Sequence, residues 1–316
     1  MSETASTDID ETPLPARRSD RPVTLLHRLE YALVIGVMGF LRLLGIDLAS
    51  SIAGKFMRLL GPMLGKYSSR GDENLRHAFP QWNDGQRKKV LAELWENLGR
   101  VGAEYAHLDK FRIDGDNPRI EHSGFDRLRN SDGTYQQVIF VTGHFANWEM
   151  SAVCARQLGI SYGVIYRAAN NPLVDEMIIR LRAATMTRVQ APKGRRGARE
   201  LVSMLRDGYS LAMLVDQKLN DGISVPFMGR EAMTAPAAAR MALKFNVPLI
   251  PISTERLTGS HFHVKAHEPI QFDKSGDVTS DVYELTKKIN GALEGFIKER
   301  PGQWLWLHRR WPKEHK

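Results

Sequence analysis

The chain has 316 residues, with Lys and Arg totalling 44 against 36 Asp and Glu, a formal excess of +8. Hydrophobic residues at 42% and charged residues at 25% exclude a disordered, collagen-like or repeat-only chain. The length is enough for a large core, in one domain or two. One cysteine, Cys154, excludes an intramolecular disulfide and an all-cysteine metal site, and suits a reducing environment. The positive excess leaves three partner classes open: nucleic acid, an anionic membrane, or an acidic protein.

Residues 1–22 are polar, with the basic run Arg17, Arg18 and Arg21, and are predicted to be a disordered tail. No apolar run opens the chain, so a secretory signal is not expected. Residues 23–66 are predicted to be a membrane-associated helical segment. Eleven consecutive residues from Tyr31 to Leu41 lack charge, bracketed by Arg28, Glu30 and Arg42. That is short of the roughly 20 apolar residues of a spanning helix. A second amphipathic stretch, Ile52 to Leu64, carries Lys55 and Arg58, with Lys66 beyond it. The two suggest a hairpin in or on a bilayer surface, with a pair of core helices as the alternative.

Residues 67–316 form the remaining unit. Val90, Leu91, Leu94, Leu98, Val101 and Tyr105 recur at helical spacing and predict a helix over residues 83–108. Strands are predicted at 137–142, 162–166, 210–215, 248–253 and 261–267, with helices ending at Asp207 and covering 237–245 and 281–300. Strands alternating with helices predict an α/β fold with a mainly parallel central sheet.

The stretch from Val141 to Glu149, VTGHFANWE, carries the strongest chemical signal. A strand ending at Gly143 and a helix starting near Asn147, a good N-cap residue, put His144 at a corner beside backbone N–H groups. Residues five apart on a helix point about 140° away from each other. His144 and Glu149 therefore meet only if the histidine precedes the helix. A carboxylate on one imidazole nitrogen fixes the tautomer and makes the other nitrogen a better base. The alternative is a capping histidine beside an unrelated glutamate. Asp216 falls at the C-terminal end of a predicted strand, where α/β sheets gather their sites, or else caps a turn.

GHFANWE resembles the H-x4-D/E signature of glycerolipid and lipid A acyltransferases. Further blocks in order make the chain resemble the late acyltransferases of Kdo-lipid A biosynthesis, the bacterial lauroyl and myristoyl transferases. They are Asn97-Leu98-Gly99-Arg100, Tyr166-Arg167, Asn170-Asn171-Pro172, Val215-Asp216-Gln217, Val225-Pro226-Phe227, and Trp304 to Trp311, WLWLHRRW. The resemblance runs from about Leu25 to the C-terminus. It implies a glycerolipid acyltransferase-like α/β fold and transfer of a fatty acyl chain from acyl-acyl carrier protein to a hydroxyl of a lipid A precursor. It implies His144 as general base and Glu149 as its orienting acid, with no covalent acyl-enzyme and no cofactor. Arg167, Asn171, Asp216 and Gln217 are carried over as substrate-binding residues. The family's Asp-x-Asp motif here reads Asp216-Gln217-Lys218, so its second acid is replaced and no metal is expected. Another glycolipid, an ornithine lipid or glycerol phosphate is the alternative acceptor.

The positive charge gathers in three places: Arg42 to Lys66, Lys193 to Arg199, and a C-terminal segment holding three of the six tryptophans beside Arg309, Arg310 and Lys313. Tryptophan beside Lys and Arg is the pattern of a membrane interface, with core packing as the alternative. Acyl carrier proteins are acidic, lipid A precursors carry phosphates and the cytoplasmic leaflet is anionic. The expected partners are therefore acyl carrier protein, a lipid A precursor and anionic membrane lipids, at the cytoplasmic face of the inner membrane. No helix-turn-helix spacing, zinc ligands or RNP-like motif supports a nucleic-acid partner, and none is expected.

Overall fold

In the computed structural model, residues 22–312 are described, so the polar tail apart from Pro22, and Lys313 to Lys316, lie outside the described residues. Four helices come first: α1 (Leu25–Leu43), α2 (Ile46–Leu60), α3 (Gly65–Ala78) and α4 (Asp84–Glu104). Thr24 and Asn83 begin α1 and α4 with capping boxes, each satisfying two otherwise unpaired N–H groups. The helix expected over 83–108 changes to a 3-10 turn at Tyr105–Lys110.

The sheet that follows has seven strands: β1 (Ile120–Ser123), β2 (Ile139–Thr142), β3 (Tyr162–Tyr166), β4 (Gln190–Pro192), β5 (Ser210–Leu214), β8 (Leu249–Arg256) and β9 (Phe262–Ala266). A separate antiparallel hairpin joins β6 (Ile223–Phe227) to β7 (Arg230–Thr234). The sheet order is β1-β9-β8-β2-β5-β3-β4, and every neighbouring pair is parallel except β8 with β9. The crossovers include α5 (Glu149–Gln157), α6 (Pro172–Thr185), α7 (Arg195–Arg206) and α8 (Ala237–Phe245), and α9 (Val278–Glu299) follows the sheet. The mainly parallel α/β expectation is met.

Strand alternation divides the core. Ile139, Val141, Leu211 and Met213 join a cluster with α4, α7, α8 and α9. Phe140, Tyr162 and Val164 turn to the other face and pack with Met150, Val153 and Cys154 of α5. Burial pushes the Cys154 thiol up to about 12, so it is an inert packing group.

Trp304, Trp306 and Trp311 lie in the first cluster at 2%, 0% and 3% exposure, which corrects their interfacial assignment. Their indole N–H groups donate inside the protein, to Asp216, to the Pro301 carbonyl and to the Phe227 carbonyl. Arg310, at 1% exposure, lies over the Phe227 ring and donates to Met233 and Thr234 of β7. The tail is a strap that ties the β6–β7 hairpin to the body.

The N-terminal helices behave differently. No residue of α1 is buried. Leu33 is 68% exposed, Phe40 61%, Phe56 on α2 58%, and Met63 between α2 and α3 77%. Helix α1 is held by polar contacts instead. Arg42 makes a two-pronged pair with Asp109, and the Leu41 carbonyl meets the His107 ring at 3.1 Å. No helix among the described residues is long and apolar enough to cross a membrane.

Candidate active site

Thr142 of β2 pairs with Leu214 of β5 in a parallel register. His144 and Asp216 each stand two residues beyond that pair, at the C-terminal edge of the sheet. The imidazole Nδ1 lies 2.8 Å from Asp216 Oδ1, and the His144 backbone N–H donates to Oδ2 at 2.8 Å. Trp304 Nε1 donates to the same Oδ2 at 2.8 Å. Burial presses the Asp216 pKa up. The charge and hydrogen bonds of His144, with the Trp304 indole, outweigh it and hold the carboxyl at about 2. An ionised Asp216 only accepts, so Nδ1 carries the proton and Nε2 presents its lone pair to the cleft. The Gln217 amide nitrogen sits 3.2 Å from that Nε2 and donates to it.

This corrects the pairing expected within the motif. Glu149 opens α5, and its Oε1 accepts from the Tyr105 hydroxyl and from Arg182 of α6. Its Oε1 is engaged there, and the His144 Nδ1 is already met by Asp216. Burial, then Glu149, pushes the Tyr105 hydroxyl above its usual range. Burial lowers the Arg182 pKa, but Glu149 and Tyr105 raise it by more, so the guanidinium stays charged. Glu149, Arg182 and Tyr105 form one wall of the cleft.

The turn between His144 and Glu149 is held tightly. A Cβ on Gly143 would come within 2.7 Å of the Phe145 ring and 3.0 Å of Asp216 Oδ2, so only glycine allows the dyad to close. Ala146 has a φ of 46°, a left-handed conformation that costs a non-glycine residue of order 1 kcal/mol or more. Its N–H donates to the Gln303 carbonyl at 2.7 Å, and its carbonyl accepts from Asn97 at 2.9 Å. Asn147 donates to Glu104, a fully buried carboxylate that pairs with Arg256 and also accepts from Ser50. The N–H groups of His144, Phe145 and Ala146 are therefore all committed inside the protein. These three N–H groups are not free donors for a developing oxyanion.

A cavity of about 570 Å³ opens at the dyad and straddles the sheet edge. On one side it is lined by Ala152, Val164 and Ala212, and on the other by Met213, Val215 and Ala238. Arg167, Lys193, Gln217 and Lys218 stand on its lining. Arg167 is exposed, just past β3. Asn171 is not brought to the site. It caps α6 and donates to the His27 carbonyl and to Glu30, fastening α6 to α1. Among the described residues no group of three or more His, Cys, Asp or Glu is placed to hold a metal.

A histidine paired with a buried aspartate, at the mouth of an apolar cavity beside cationic side chains, suits acyl chemistry on an amphipathic substrate. The model of the bacterial lipid A biosynthesis acyltransferase family matches residues 20–313. The chain belongs to that family. It is thereby placed among the O-acyltransferases of lipid A biosynthesis, as the sequence motifs indicated. A lipid A biosynthesis acyltransferase of Haemophilus influenzae is 21% identical, over 82% of this chain and 80% of the relative. The lipid A biosynthesis myristoyltransferase of Escherichia coli K12 is 24% identical, over 77% and 75%. The lauroyltransferase of the same organism is 25% identical, over 75% and 76%. These relatives bear different acyl names at nearly equal identity, so overall similarity does not choose a chain length for this family member.

Proposed function

We propose that this acyltransferase moves a fatty acyl chain from acyl-acyl carrier protein onto a hydroxyl of a lipid A precursor, without a covalent acyl-enzyme. The observation that carries this reading is the His144–Asp216 pair at the cavity mouth. The substrate hydroxyl takes the place of the Gln217 amide at Nε2 and gives its proton to His144 as its oxygen attacks the thioester carbonyl. Asp216 holds the tautomer and stabilises the imidazolium. When the tetrahedral intermediate collapses, the thiolate leaves and takes the proton back from His144. The displaced Gln217 amide is placed to donate to the oxyanion, and one such donor is typically worth ~3 kcal/mol of barrier. Glu149 shapes the cavity wall through Arg182 rather than orienting the base.

His144→Ala in purified protein, assayed by mass spectrometry with acyl-carrier protein and a Kdo-bearing lipid A precursor, is expected to lose at least about 10³-fold in turnover while staying folded. Full turnover in that variant would overturn the mechanism. Acylation of an ornithine lipid or glycerol phosphate in place of the lipid A precursor would change the acceptor.

The exposed apolar faces of α1, α2 and the turn after them support a location on the cytoplasmic face of the inner membrane. Arg28, Lys55 and Lys66 are exposed nearby and suit an anionic leaflet. Replacing Leu33, Phe40 and Phe56 together by serine removes about 1 kcal/mol of burial each, so partitioning onto anionic vesicles is expected to fall on the order of 100-fold. Vesicle co-sedimentation measures it, and unchanged binding would exclude this face.

A further inference from the structure

Three side chains from separate elements converge beside the dyad. His308 lies in the C-terminal strap, its ring centroid 6.5 Å from that of His144. Asn74 of α3 fixes the backbone there, donating at 2.6 Å to both the Trp306 and His308 carbonyls. Arg70, one turn earlier on α3, donates to the Leu307 carbonyl at 3.1 Å and lies over the Tyr67 ring, while its buried Nε has no partner. Arg167 reaches the same mouth from the end of β3 and stands exposed on the cavity lining.

These groups lie in one another's field. The protein packed around the His308 ring lowers its pKa most. His144 adds to this, as do Arg70 and Arg167, while Asp216 opposes them. Asp216 is already engaged by His144 and Trp304. Arg167 thus stands on the cavity lining with His144, the His308 ring lies near His144, Arg70 is tied to the strap next to His308, and the Asp216 carboxylate among them is occupied. Such an arrangement repels itself unless an anion enters.

We propose that Arg70, Arg167 and His308 form a phosphate-binding subsite that seats a phosphate group of a substrate beside His144. A planar carboxylate is satisfied by one guanidinium fork, whereas a tetrahedral phosphate accepts from several directions. Donors arriving from α3, the end of β3 and the C-terminal strap match the second geometry. The choice of substrates rests on the acyl-transfer reading above, but the subsite does not. Two sources carry this chemistry: a phosphate ester on the acceptor, and the phosphodiester of the carrier protein's pantetheine arm.

The experiment compares wild-type protein with Arg70→Gln, Arg167→Gln and His308→Asn. The acceptor is offered with and without its phosphates. The donor is offered as acyl-carrier protein and as an acyl thioester of N-acetylcysteamine, which has no phosphate. Wild type is expected to favour the phosphate-bearing partner by about tenfold or more in kcat/KM, in line with charge-assisted hydrogen bonds. That preference should collapse toward unity in each variant, and Arg70→Lys should recover part of it. A collapse of the acceptor preference places the acceptor's phosphate in the subsite, and a collapse of the donor preference places the donor's. Preferences that survive in all three folded variants overturn the proposal. Calorimetric binding of the phosphorylated and dephosphorylated acceptor is measured in parallel. If wild type transfers no acyl group, the functional reading fails. The subsite then stands only if the variants lose the affinity difference, and falls if they keep it.

Discussion

Asp216→Asn is expected to lose about 10³- to 10⁴-fold in kcat, the order seen when the acid orienting a histidine base is neutralised without changing its shape. An asparagine amide presents a donor where Nδ1–H needs an acceptor, so the imidazole is driven to the wrong tautomer. Glu149→Gln is expected to behave otherwise. Its Oε1 can still accept from Tyr105 and Arg182, but Arg182 loses its counter-charge, so the effect falls on stability, by about 2–3 kcal/mol. Parallel kcat and thermal-melting measurements on the two variants separate the roles. The opposite ranking, with Glu149→Gln the more damaging to kcat, would restore the motif's own acid as the partner of His144.

The same substitution has an acid-side signature. The Asp216 pKa is about 2 in the folded chain and ~3.9 in an unfolded one. A depressed folded pKa stabilises above the unfolded value and is lost as pH falls toward the folded one. Wild type should therefore lose on the order of 2–3 kcal/mol between about pH 4 and pH 2 through this group. Asp216→Asn should lack that part of the slope in acid-unfolding curves.

Arg256→Met is expected to cost about 3–5 kcal/mol in denaturant unfolding, the largest stability effect among these variants. Arg256 faces Glu104 at 2.5 and 3.0 Å, and Glu104 is 0% exposed, so the substitution leaves a carboxylate with no counter-charge inside the protein. The consequence reaches the chemistry. Glu104 accepts from Asn147, and Arg256 donates to Asn97, which holds the Ala146 carbonyl. Loosening this network frees the left-handed turn that aims His144. The double variant Glu104→Gln with Arg256→Met should be more stable than Arg256→Met alone. A simple sum of the two single losses would show that the pair is not coupled.

Five of the seven sheet strands and the corner at Gly143 were legible, because buried strands such as those expected at 162–166 and 210–215 write apolar runs, whereas the short β1 and β4 escaped. The β6–β7 hairpin was not legible either. Its strands are short, one contains Pro226, and Val225-Pro226-Phe227 entered only as a motif. The corner that carries His144 was legible, but the contact of that histidine with Asp216 was not. A spacing of five within one segment drew attention to Glu149, while Asp216 lies 72 residues away. The signal was present: His144 and Asp216 each follow a buried strand by the same step, and adjacent parallel strands in register bring such residues together. The tryptophans misled for a different reason. Composition records that Trp and Arg are neighbours in the chain, but not that their N–H groups find carbonyls and a carboxylate in the interior. Arg310 likewise counted as surface charge although it is buried over Phe227.

The strap from Trp304 to Trp311 also sets an order of events during synthesis. Helix α1, whose apolar face finds no core, leaves the ribosome early. The indole that bonds Asp216 lies 88 residues beyond it and emerges after it. Until then the larger core cluster lacks three of its aromatic side chains, and Asp216 lacks a donor that helps keep it ionised. The nascent chain thus carries exposed apolar helices while His144 and Asp216 are still incompletely held, and their setting is completed only once the strap has emerged.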